Sequence, residues 1–271
     1  MHRISRKGIK GKTGSALFLQ SIVIFLLITL TMVLLSHNEW GNAIAQPKPD
    51  TQKMPTEVEM IAVMEKHYDS AILSHDALIQ GNLEALRRRL SQIETQTLPP
   101  AAPESWRPHH ARLRKAARSA AGISSLEKAG PVMGAVAEAC GACHAALGVG
   151  TFYYWPSPPD EKGGVEREMR THQWATERLW EGVTGPFQEA WYRGAAALAE
   201  ARVFGNEGSG VKNSLLNREA ELRDLGRTAK ATKGLHERAV IYGRLLTTCA
   251  GCHQEAGVSI KSAKPIPPWQ E

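Results

Sequence analysis

From Thr56 onward the apolar residues fall three and four apart, the spacing that lines one face of an α-helix. Val58, Ile61, Met64, Ala71 and Leu78 share one side of a predicted helix running to about Gln80. Thr56 with Glu59 makes a capping box at its start, and Gly81-Asn82 breaks it. Asn82 can cap a second helix through about Ile93. The segment Leu98-Pro-Pro-Ala-Ala-Pro103 reads as a loop, and a third helix runs from about Trp106 to Ala121. Ser124 with Glu127 is a second capping box, opening a fourth helix. A different pattern occupies the N-terminus, where Ala16 to Leu35 is apolar and carries no charge. Twenty such residues can span a bilayer, and the basic residues before them would hold the N-terminus in the cytoplasm. Ala43-Ile44-Ala45 also fits a signal-peptide cleavage site. Both readings export the rest of the chain, to the periplasmic side of a bacterial inner membrane, as an anchored or a released protein.

The helical pattern occurs twice. A shift of 109 residues places Ala111, Leu113, Arg114, Arg118, Ala120 and Leu126 on Ala220, Leu222, Arg223, Arg227, Ala229 and Leu235, and Gly134 on Gly243. Upstream the shift is 105, with Met64-Glu-Lys-His67 on Met169-Arg-Thr-His172, and then 104, with Ile79-Gln-Gly81 on Val183-Thr-Gly185. Loops of unequal length between helices produce such a drift. Pro186 suits the first turn of the second copy's second helix, and Gly205–Gly210 is its long loop. The expected organisation is all-α. An N-terminal hydrophobic helix (1–45, signal-anchor or signal peptide) precedes two tandem antiparallel four-helix bundles at 55–147 and 161–257. A proline-rich linker at 148–160 joins them, and a tail follows at 258–271.

Charge narrows the partners. The 271-residue chain has a formal charge of +6. Of this excess, +4 lies in residues 1–45, where Arg3, Arg6, Lys7, Lys10 and Lys12 oppose Glu39. The exported part is nearly balanced, which gives no support to nucleic-acid binding. The Arg87-Arg88-Arg89 run and the set Arg112, Arg114, Lys115 and Arg118 read as solvated helix faces, with steering of an acidic redox partner as the alternative. Trp174, Trp180 and Trp191 recur at roughly helical spacing and read as core, with an electron relay through them as the alternative.

The chain has four cysteines, all in two Cys-x-x-Cys-His sequences, Cys140–His144 and Cys249–His253. On a helix, positions i, i+3 and i+4 share a face. Cys140 and Cys143, and likewise Cys249 and Cys252, can therefore form thioethers to the vinyl groups of one haem c, with His144 or His253 as an axial ligand. Two covalently bound haem c groups are the implied cofactors. Disulfides are usual in exported proteins, but residues three apart on a helix rarely bridge. Zinc sites from paired Cys-x-x-Cys sequences usually sit on turns about 15–20 residues apart. The motif closes each repeat, and Gln254–Glu271 contains neither Met nor His. Any sixth ligand must therefore come from upstream.

A four-helix unit with Cys-x-x-Cys-His on its last helix resembles the class II c-type cytochromes, the cytochrome c′ group. The likeness covers about 57–147 and 163–256, and the tandem form departs from that family's usual single bundle. The resemblance implies that each unit's first helix faces the distal side of its haem, where relatives carry a Met ligand or an open, gas-binding position. In this chain Met64 and His67 lie one turn apart on that helix, as do Met169 and His172. Recurrence favours His67 and His172 as distal ligands, with Met64 and Met169 as alternates and an open site as the third possibility. His75, whose counterpart is Trp180, reads as packing or surface, and His109, His110 and His236 also lack counterparts. The expected function is electron transfer between redox protein partners, without enzymatic activity. A nitric oxide- or carbon monoxide-binding protein and a dihaem peroxidase are the alternatives.

Overall fold

A computed structural model of the chain describes residues 57–148, 157–159, 164–204 and 210–258. The predicted hydrophobic span 16–35, the Ala43–Ala45 site, Thr56 and the tail beyond Val258 lie outside the described residues. Those described are helical and contain no strand. The eight α-helices are α1 (Glu57–Ile79), α2 (Leu83–Thr95), α3 (Arg107–Arg118), α4 (Leu126–Leu147), α5 (Gly164–Thr184), α6 (Gln188–Ala199), α7 (Asn213–Ala231) and α8 (Leu235–Ala256). Among them no helix is long and apolar enough to cross a membrane.

The repeat is visible in the helix boundaries. Shifting α4 by 109 residues reproduces α8 at both ends, and each is closed by a left-handed glycine, Gly148 at φ 62° and Gly257 at φ 65°. The same shift turns α7 into 104–122, which α3 fills together with two short 3-10 turns, Glu104–Trp106 and Ser119–Gly122. Two capping expectations need correction. Ser125, not Ser124, is the N-cap residue of α4, and its hydroxyl bonds to the Glu127 carboxylate, which this contact holds below the usual range. Pro186 sits outside α6, ahead of the N-cap Phe187. Asn82 does cap α2, its Oδ1 accepting from the Ala85 N–H at 2.9 Å. Asn82→Ala should lower stability by about 1 kcal/mol, read as a shift of the urea midpoint at constant slope.

Helices adjacent in sequence pack together within 57–147 and within 164–256, and α4 and α8 return to α1 and α5 respectively. The two halves share one apolar core. Its largest contributors include Leu78, Leu86, Leu90 and Met133 from the first half and Leu179, Trp191, Tyr242, Leu245 and Leu246 from the second, all fully buried. Trp174, Trp180 and Trp191 are core, as expected. The Trp191 indole donates to the Ala229 carbonyl at 2.8 Å, and the Arg238 guanidinium lies 5.5 Å above its ring.

The most extensive helix contact is between α4 and α8. A Cβ on Gly130 would meet the Gly243 carbonyl, one on Gly243 would meet Gly130, and one on Gly134 would meet the Ala239 carbonyl. Rising numbers on α4 thus meet falling numbers on α8, so the helices cross antiparallel, backbone against backbone. The 109-residue shift exchanges 130 with 239 and 134 with 243. The contact is therefore the same seen from either helix, as in the self-complementary interface of a twofold dimer.

Candidate functional site

The two Cys-x-x-Cys-His motifs lie in the last three turns of α4 and α8, on either side of that crossing. Cys140 and Cys249 are about 24 Å apart along the helix axes at 1.5 Å per residue, given the register of the glycine contacts. The motifs thus make two separate sites. The His144 Nδ1 donates to the Thr184 carbonyl at 2.7 Å, and the His253 Nδ1 to the Ile79 carbonyl at 3.4 Å. A carbonyl oxygen only accepts, so Nδ1 must carry the ring proton. Nε2 is then the lone-pair nitrogen, the form in which imidazole binds a metal. Burial lowers the pKa of both rings and keeps them neutral, a tendency the two carbonyls oppose.

Facing each motif is the first helix of the same half. Met169, His172, Leu222, Cys249, Cys252 and His253 line one pocket, together with Val203, Phe204, Arg218, Glu219 and Thr248. The structure therefore brings together the predicted proximal histidine, both thiols and both distal candidates of the second half. In the first half His67 lies close enough to His144 for the two rings to disfavour each other's charge. The Nε2 atoms of His67 and His172 are buried without a hydrogen-bond partner, a property shared by His75 on the same helix as His67 and by His110, neither of which has a repeat counterpart of its own type. Such a nitrogen costs stability unless something satisfies it, and a bound metal could do so. Met64 and Met169 are half-buried one turn away, and Met169 lines the pocket with His172; a thioether carries no such unmet demand.

Burial pulls the His172 pKa from 6.5 to about 4. His67 also falls to about 4, through burial first and then the neighbouring His110 and His144 rings. The unfolded chain takes up these protons near pH 6.5 and the folded chain only near pH 4. Stability is therefore complete above 6.5 and falls towards 4, by about 1.4 kcal/mol per pH unit for each proton. Urea unfolding of the haem-free chain should show it weaker at pH 5 than at pH 7. His67→Leu with His172→Leu should remove part of that difference, His110, His144 and His253 being lowered by burial as well, and an unchanged difference counts against the assignment.

Sequence reasoning missed two features. His110 stacks on His67, centroids 5.6 Å apart and planes 28° apart. Its repeat counterpart is Glu219, a wall residue of the second pocket, which receives bonds from the Phe204 N–H and the Arg223 guanidinium. One position thus lies beside the first-helix histidine in both halves, and only the change of residue type hid it. The second feature is that the carbonyls holding His144 and His253 each come from the other half, which no spacing within one repeat can reveal. The arginine runs are only partly solvated faces: Arg88 pairs with Glu84 one turn away, whereas Arg87 reaches the Ile123 carbonyl, Arg114 the Glu94 carbonyl and Arg118 the Glu94 carboxylate on other elements.

The thiols are poor nucleophiles in this fold. Burial pushes Cys140 and Cys249 up to about 12, so thiolate, the reactive form in dithiol exchange, is scarce at neutral pH. The separation of the two cysteine pairs also precludes a four-cysteine zinc site, and among the described residues no group of three or more His, Cys, Asp or Glu is placed to hold a bare metal ion. No family model, curated protein or solved structure matches this chain.

Proposed function

We propose that the chain is a dihaem c-type cytochrome, an electron carrier whose two sets of four helices are cytochrome c′-like bundles placed on the periplasmic side of an inner membrane. The observation that carries this reading is the pairing, in each half, of a proximal histidine fixed in its Nε2-free tautomer with an orphaned histidine nitrogen on the first helix. Cys140 and Cys143 would hold one haem c and Cys249 and Cys252 the other, with His144 and His253 as proximal ligands and His67 and His172 as distal ligands. The haem supplies one-electron chemistry when bound. The chain's own residues set its properties: two histidines per iron favour a low potential, and the apolar core behind each motif limits water. A methionine-ligated form has one observation in its favour, that Met169 lines the same pocket as His172, and it would raise the potential. Partners are other redox proteins, with the N-terminal apolar segment as the membrane attachment if it is retained.

The test is haem content and spin state. Purified from a host with a haem c attachment system, the chain should carry two covalent haems. Cys140→Ser with Cys143→Ser, or Cys249→Ser with Cys252→Ser, should leave one. The reduced visible spectrum should not change on adding carbon monoxide. A chain without covalent haem would sink the cytochrome reading, and rapid carbon monoxide binding at both irons would replace the carrier with a gas-binding protein.

A further inference from the structure

We infer that the two sites are cross-wired: each half's first helix supplies the distal histidine of its own site and the carbonyl that orients the proximal histidine of the other. This rests on the dihaem reading above and adds a dependence between sites that a pair of independent bundles lacks.

On α1, the Ile79 carbonyl holds His253, and His67, the repeat counterpart of His172, lies near His144. On α5, His172 faces His253, while the Thr184 carbonyl holds His144. In both helices the two groups are twelve residues apart, about 18 Å along the axis. The reciprocity extends to the packing around each link. A Cβ on Gly141, inside the first motif, would strike the Val183 carbonyl at the end of α5. A side chain on Gly81, just past the end of α1, would strike Gln254, next to His253. Midway between the motifs, the repeat counterparts His75 and Trp180 lie 6.5 Å apart, both against the Tyr242 ring on α8. The halves therefore meet through their first and last helices.

The second nitrogen of a metal-bound histidine sets the ring's orientation and basicity, and partners there are worth 10–100-fold in affinity or activity. Here those partners are the last carbonyls of the opposite half's first helix. A shift of α1 on changing what His67 binds reaches the proximal side of the second site. A shift of α5 likewise reaches the first. Coupling of this kind is reciprocal.

The experiment uses the full two-haem chain and reads each haem's potential and ferric electron paramagnetic resonance signal. The signals are assigned by which one is lost with each pair of cysteines. Gly81→Val disturbs the end of α1, where φ is +69° and Gln254 fills the Cβ position. The expected result is an upward shift in the potential of the haem on Cys249 and Cys252, with a changed resonance position, and no shift at the haem on Cys140 and Cys143. Gly182→Ala, whose added methyl meets the Trp191 backbone beside the end of α5, should shift the haem on Cys140 and Cys143 alone. A shift confined to the haem of the substituted half, or no shift in either variant, overturns the inference. If Gly81→Val fails to fold, Gly81→Ala and Gly182→Ala decide it. Loss of haem from the unsubstituted chain would instead be a failure of the cytochrome reading, and the attachment assay separates the two.

Discussion

Replacing His172 by alanine should turn one of the two irons from low-spin to high-spin and let it bind carbon monoxide, while the other stays low-spin. His172 is 8% exposed, its Nε2 has no partner, and it shares a pocket with His253 and both cysteines of the second motif. Burial holds it neutral even in mild acid, so its lone pair is available to a metal across the working pH range. Alanine removes the donor without filling the space. About half of the low-spin intensity should convert, in proportion to one iron of two, and one equivalent of carbon monoxide should bind per chain. His67→Ala should do the same at the other iron, and the double variant at both. Met169→Leu serves as the contrast, because it keeps the apolar wall and removes only the thioether. If Met169→Leu opens the iron and His172→Ala does not, methionine is the ligand.

A second large effect is expected far from either motif, at the crossing of α4 and α8. Gly243→Val should destabilise the folded chain by about 3 kcal/mol, the upper end of what overpacking costs. The obstacle is the Gly130 backbone carbonyl, and main chain on an antiparallel helix cannot rotate aside as a side chain can. Better helix propensity offsets a fraction of a kcal/mol. At this size the loss corresponds to roughly 6–12 °C in Tm. Gly122→Ala is the control, since a Cβ there meets nothing within 4 Å and its backbone is not left-handed. It should leave Tm unchanged or slightly raised. A Gly243→Val chain as stable as the control would mean that the halves do not pack through this crossing.

Much of this architecture is legible in sequence because it is local. The Asn82 cap and the breaks at Gly81 and around Pro99 all depend on neighbours a few residues away. The repeat adds a constraint of longer range, and its 105-residue shift pairs His67 with His172. What escaped is what the halves do to each other. Gly130 and Gly134 look like poor helix residues inside α4 until α8 lies against them. His110 looked unpaired because its counterpart is an acid, Glu219. Thr184 and Ile79 act through backbone carbonyls, which carry no side-chain signature. The internal twofold relation unites these misses: a repeat shows that two units are alike, whereas only their packing shows that each completes the other.

Low-temperature electron paramagnetic resonance of the ferric two-haem chain decides whether each iron is closed by a histidine on both sides. Two low-spin signals of bis-histidine type are expected, one lost with each pair of cysteines, and no high-spin signal. A high-spin signal from either iron, or a histidine–methionine spectrum, would contradict that closure.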